Sequence, residues 1–142
     1  MNKRQVGAIE IARLLELEEP FRLPSEFFPE ASDEALAPHR HWLEPKAICP
    51  QTGKLILPVQ SYLVRTQHHT ILIDTCIGCG KSYDGIPGWK DRRDEAWLQR
   101  LQAAGVQPEA IGYVFCTHLH VDHCGWNTRF VDGRWGPTFP NA

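Results

Sequence analysis

Six residues, His118-Leu119-His120-Val121-Asp122-His123, place three imidazoles and one carboxylate in a single short segment. With His and Asp each near one residue in twenty, an HxHxDH string arises by chance roughly once in a thousand chains of this length, so the spacing carries information. In an extended chain, residues two apart point the same way, so His118 and His120 can present ring nitrogens to one point. Asp122 continues that side only if the chain stays extended. A turn helped by Gly125 brings Asp122 and His123 to a second point nearby. Imidazole with carboxylate is a borderline ligand set that suits Zn²⁺, with Mn²⁺ or Fe²⁺ as alternatives. Two such ions about 3.5–4 Å apart can share a water and lower its pKa for attack on a carbonyl or phosphoryl centre. Any one of these histidines alone would read as a surface or satisfied core residue; four ligand-type residues directly after a strand read as metal. The remaining histidines, His39, His41, His68 and His69, lack carboxylate or cysteine company and read as solvated.

The elements that must position the motif lie just upstream. Tyr113-Val114-Phe115-Cys116 reads as a short buried strand feeding into the histidines. Leu55 to Arg65 and Thr70 to Asp74 are apolar, β-branched runs joined by Thr66-Gln67-His68-His69, a hairpin pattern. Ile71, Leu72 and Ile73 are apolar at successive positions, as in a strand covered on both faces, and they deliver Asp74 at the strand end. A glycine-rich loop from Ile77 to Gly88 follows. The strongest helix pattern runs over 92–104, with Gly105 after its last turn. Asp132-Gly133 between Phe130-Val131 and Arg134-Trp135 is a second hairpin signal. Residues 4–17 fit either a strand or a short helix, and Ser32 is placed to cap a short helix over 32–37. Strand, strand, helix, strand and loop across 55–123 imply an α+β mixed sheet with helices on one face.

At 142 residues the chain is the size of one domain, and its composition is that of an ordinary globular protein: 42% hydrophobic and 23% charged, net charge -2. That charge offers no basic field for nucleic acid or anionic lipid, so neither nucleic acid nor membrane is an expected partner. Acidic and basic residues interrupt the first 25 positions, which excludes a signal-peptide apolar region, and the default location is cytoplasmic. Cys49, Cys76, Cys79, Cys116 and Cys124 are odd in number and irregular in spacing; Cys76-Ile77-Gly78-Cys79 reads as reduced thiols in a loop. Trp42, Trp89 and Trp97 read as packing residues. Trp126 alone is near enough to the motif for a pocket wall, although packing suits it too.

Ile71 to Gly78 and Tyr113 to Asn127 together resemble the metallo-β-lactamase-fold metallo-hydrolases. The resemblance runs from about residue 55 to 142. It implies an αββα sandwich, of which residues 1–142 would supply a single partial domain, the N-terminal half, with the HxHxDH loop at 118–123. It implies His118 and His120 as ligands of one metal, Asp122 and His123 of the other, and Asp122 as the catalytic residue that takes a proton. Asp74 matches the family aspartate beneath the metal loop, in a hydrogen-bonding rather than a ligating role. Trp126-Asn127 and the ending 133–142 are similar to the lactonase, arylesterase and organophosphate-hydrolase branch.

The implied activity is a binuclear zinc hydrolase in which metal-bound hydroxide attacks a small-molecule lactone or ester. The family completes both metals with residues downstream of the motif. After His123 this chain has no histidine, and Asp132 is its only acid. A truncated chain with an incomplete site is therefore expected, weak in zinc binding and in turnover, needing a C-terminal half or a partner chain. One inner sheet face, carrying Val59, Leu63, Val64, Ile71, Ile73 and Val114, is then left open and apolar. The alternative is a non-catalytic, partner-dependent metal-binding half-domain. A di-iron redox relative is disfavoured because those members carry an acid where His120 stands.

Overall fold

The computed structural model describes residues 2–83 and 85–142; Asp84, inside the expected glycine-rich loop, lies outside the described residues. Its elements in chain order are β1 (Lys3–Val6), β2 (Ile9–Pro20), three single-turn helices α1 (Pro24–Phe27), α2 (Asp33–Leu36) and α3 (Arg40–Leu43), then β3 (Ile56–Arg65) and β4 (Thr70–Ile73). Helix α4 (Ala96–Ala103), strand β5 (Tyr113–Phe115), the one-turn α5 (Val121–Cys124) and the hairpin β6 (Thr128–Val131) and β7 (Arg134–Pro137) complete the chain. Five strands form one sheet in the order β1-β2-β3-β4-β5. β3 and β4 are antiparallel with Leu63 opposite Leu72; β4 and β5 are parallel with Leu72 opposite Val114. This is the α+β class with a mixed sheet.

Residues 4–17, open between strand and helix in the sequence, form an antiparallel hairpin. Val6 pairs with Ile9 across a two-residue turn that Gly7 enters with φ of 59°. Along β2, Ala12, Leu14 and Glu16 alternate inward with period two and are all buried. Contacts divide the described chain into two compact units, Leu17–Pro58 and the remainder. In the smaller unit the Ser32 side chain accepts the Ala35 N–H at 3.2 Å and caps α2, and Arg40 bridges Asp33 and Glu44.

In the larger unit the core joins Leu14, Leu63 and Leu72 from the sheet with Trp97 and Leu101 from α4, and with Ile77, Ile111 and Trp126. Full burial of each such side chain contributes about 1.5–3 kcal/mol. Trp97 stacks on Trp126, ring centroids 5.7 Å apart and planes 14° apart, and meets the edge of Phe139.

Four expectations are corrected. The helix expected over 92–104 begins at Ala96, because the backbone before it is committed elsewhere. The Arg92 carbonyl accepts the Gly80 N–H at 2.6 Å, and the Asp91 N–H donates to Lys81. β4 and β5 are covered on one face only: Leu72 is fully buried, whereas Tyr113 and Phe115 are exposed. Strand register explains the next correction. The apolar set expected on one open face divides between two. Val59 and Leu63 lie on the covered side. Val64 and Ile71 stand in register with Tyr113, and Ile73 with Tyr62 and Phe115, on the open side. Trp42, expected to pack, is exposed on α3, where His39 meets its ring edge-on at 5.9 Å; Trp89 and Trp97 are buried.

Candidate metal centre

Two loops build the site. The first leaves β4 as Asp74-Thr75-Cys76-Ile77-Gly78, with Asp74 and Cys76 at φ of 60° and 50°. Positive φ at non-glycine residues costs about 1–3 kcal/mol each and persists only where surroundings enforce it. The second leaves β5 and carries the histidine motif into α5. Backbone bonds lace the two together. Asp74 N–H donates to Phe115 O at 2.8 Å, Thr75 N–H to His123 O at 2.8 Å, Gly125 N–H to Cys76 O at 2.7 Å, and Trp126 N–H to Thr75 O at 2.8 Å. The approach is so close that a Cβ on Gly125 would stand 1.8 Å from the Ile77 carbonyl oxygen. Only glycine fits there.

This lacing sets Asp74 under the motif. Its carboxylate accepts the Thr117 N–H at 2.7 Å and the Thr117 hydroxyl at 2.9 Å, and its Oδ2 stands 2.8 Å from His123 Nδ1. Burial alone would raise the Asp74 carboxyl, but the hydrogen bonds from His123 and Thr117 outweigh it and hold the group below its ordinary value. With Nδ1 turned to Asp74, the His123 ring directs Nε2 the other way, 3.3 Å from Asp122 Oδ2. His118 Nε2 and His120 Nδ1 stand 3.1 Å apart, and the His118 and His123 rings are 3.9 Å apart between centroids.

The motif's four ligand-type side chains thus gather in one place, as two donor pairs. Zinc bonds of about 2.0–2.2 Å in tetrahedral geometry separate two ligand atoms by about 3.3–3.5 Å. The Asp122–His123 separation of 3.3 Å matches that spacing, and the His118–His120 separation of 3.1 Å lies just under it. Among the described residues, no three His, Cys, Asp or Glu side chains form a group able to hold a metal ion. The donor chemistry fits zinc two ligands at a time.

Several supporting residues carried no role in the sequence reading. Thr117 bonds Asp74 and lies within 3.3 Å of both His118 Nδ1 and His123 Nδ1. Thr75 donates its hydroxyl to Asn127 Oδ1 at 2.9 Å. Glu16 accepts the Ile77 N–H at 2.8 Å and the Trp126 indole N–H at 2.7 Å. A carboxylate at an inward position of an apolar alternation was the available signal for Glu16. Trp126 is fully buried and belongs to the packing. All five cysteines are free; Cys76 is buried against the Ser61 hydroxyl, and burial pushes its thiol well above the ordinary value.

A strand-end aspartate lies beneath an HxHxDH loop on a mixed sheet with helices, the frame of an α+β protein. The sequence pattern of the Metallo-beta-lactamase superfamily matches residues 56–142, and the chain belongs to that superfamily. Two curated relatives are the N-acyl homoserine lactonase of Bacillus sp and the N-acyl homoserine lactonase AiiA of Bacillus thuringiensis subsp. kurstaki. Each is 31% identical over 91 residues, covering 56% of this chain and 36% of the relative. The chain thus spans about a third of the length of these relatives. Two solved structures share the fold. One is AidC, a dizinc quorum-quenching lactonase, at 22% identity and TM-score 0.70 over 99% of this chain and 42% of that one. The other is a probable metal-dependent hydrolase from Staphylococcus aureus, at 21% identity and TM-score 0.66 over 86% and 42%.

Proposed function

We propose that this chain carries the metal-ligand loop of a binuclear, zinc-dependent hydrolase of lactones or related esters. The observation that carries the reading is the pairing of donors at zinc-compatible separations, with Asp74 behind His123 fixing which ring nitrogen faces the site. In this reading His118 and His120 hold one ion, and Asp122 and His123 hold the other. Zinc bound there would supply Lewis acidity, polarising a carbonyl and making water nucleophilic at neutral pH. The Asp122 carboxylate then serves as the proton acceptor for the attacking water. Asp74 keeps the His123 Nδ1 proton engaged, so that Nε2 remains a lone-pair donor toward the ion. The lactone preference draws on the curated relatives, which are N-acyl homoserine lactonases.

The test is zinc binding together with hydrolysis of N-acyl homoserine lactones and aryl esters, comparing the parent chain with His118→Ala and Asp122→Ala. The expected result is loss of metal in both variants and loss of whatever turnover the parent shows. Equal metal content and equal turnover in all three proteins would remove the assignment. The arrangement of donors in pairs favours a second reading, a metal-binding module whose site is completed by further chain or by a partner. That reading predicts zinc binding without hydrolysis in the same comparison.

A further inference from the structure

Glu16 occupies the inward slot of β2 next after Leu14, where an aliphatic residue would satisfy packing. A carboxylate there loses its water, a cost that only hydrogen bonds offset. Its oxygens accept the Ile77 N–H at 2.8 Å, the Gly78 N–H at 3.3 Å and the Trp126 indole N–H at 2.7 Å. The first two donors belong to the loop that leaves β4 and begins with Asp74. The third belongs to the turn that follows the histidine motif. The two segments meet nowhere in sequence, and one side chain grips both.

We infer that Glu16 is a positioning residue of the metal centre, clamping the Asp74 loop to the turn after the motif so that Asp74 and His123 stay in contact. The inference rests on the metal-site reading above. It links Glu16 to the ligands through bonds already described: Trp126 N–H to Thr75 O, and Thr75 N–H to His123 O. Gly78 adds to the fit, because a Cβ there would stand 2.7 Å from the Gly125 carbonyl group. Releasing Glu16 would leave three N–H donors without an acceptor and let the loops part where the ligands are set. Burial raises the Glu16 carboxyl, opposed by the bonds from Ile77 and Trp126 and by the Arg92 charge. The carboxylate is held there against its solvation, as a residue kept for geometry would be.

The experiment uses the 142-residue chain with Zn²⁺ alone as probe, titrated against a chromophoric chelator, and amide hydrogen exchange without metal as a second readout. Glu16→Gln keeps the shape but turns one acceptor into a donor. It is expected to weaken zinc binding about tenfold, within the range for groups behind metal ligands. Exchange at the Thr75, Gly125 and Trp126 amides should rise by a similar factor, with that of Leu101 in α4 unchanged. Trp126→Phe removes only the indole N–H; it should shift both readouts the same way by a smaller factor, and it carries the test if Glu16→Gln does not fold. Leu101→Ala is the control for general destabilisation and should lower the unfolding midpoint with zinc affinity retained. His118→Ala separates the two claims. If it binds zinc as the parent does, the metal-site reading fails. If it abolishes binding while Glu16→Gln keeps parental affinity and exchange, the positioning role of Glu16 is overturned.

Discussion

Beneath the histidine motif, Asp74, Thr75, Glu16 and Trp126 are buried, and the polar atoms of their side chains all have partners; at the rim, His118, Leu119 and His120 are exposed. The floor is laced by backbone bonds between two loops and by two carboxylates, Glu16 accepting three N–H groups and Asp74 the Thr117 N–H and hydroxyl beside His123 Nδ1. The rim offers its ring nitrogens to solvent and to one another. The contrast shows where the geometry of such a site is stored. Side chains that would receive a cation under the proposed function must stay open, so burial cannot fix them. Here they are positioned from below, by groups that bond one another and the loop backbone.

The strongest way to break this division is Gly125→Ala. The added methyl would meet the Ile77 carbonyl oxygen at 1.8 Å, and the backbone on both sides would have to move. A loss on the order of 4 kcal/mol, at the upper end for single substitutions, is expected in urea unfolding. A change within about 0.5 kcal/mol would show that the two loops are not tightly seated.

Next in size is Asp74→Asn, which keeps the shape but weakens the bond to His123 Nδ1. Zinc affinity should fall about 10–100-fold with the far-ultraviolet circular dichroism unchanged. Retained affinity would locate the control of His123 elsewhere than in the floor.

A pH series separates the two buried carboxylates, because their shifts have opposite signs. Glu16 is raised above 4.5, so the folded chain binds its proton more readily than the unfolded one. That contribution is fully present below the unfolded value and is lost as pH rises through the folded value. Asp74 is lowered below 3.8, so its contribution is present above that value and fades as pH falls through the folded one. The urea midpoint of the parent, relative to Glu16→Gln, should therefore decline as pH rises from about 4 toward neutrality. A difference that stays flat across that range would mean Glu16 titrates normally.

The smallest effect is expected on the open side of the sheet, where Tyr62, Tyr113 and Phe115 are exposed in register. Phe115→Thr should change stability by no more than about 0.5 kcal/mol while reducing the binding of an apolar dye and the tendency to aggregate. Substantial destabilisation would mean that Phe115 is packed in solution.

Much of this architecture was legible in the chain. Apolar and β-branched runs beside turn residues marked the β3–β4 hairpin, and Asp132-Gly133 marked β6–β7, because such signals act over a few neighbouring positions. Ser32 marked the start of α2 for the same reason. Identity and spacing of His118, His120, Asp122 and His123 singled out the segment whose side chains the structure gathers over Asp74, which stands at a strand end where loops begin. Glu16 drew no reading, because residues 4–17 were open between strand and helix and its inward register shows only once the strand forms.

Partners were what only the tertiary structure decided. Whether Tyr113 and Phe115 are covered depends on what stacks on the sheet, which their own alternation does not encode. α4 starts at Ala96 because Arg92 and Asp91 bond Gly80 and Lys81 in the loop before it. Glu16 meets Trp126, and Asp74 meets Thr117 and His123, across separations that no local pattern reports. Local sequence sets backbone preference and side-chain chemistry; which buried donor meets which acceptor is settled when the chain closes on itself and every desolvated polar group must find a bond.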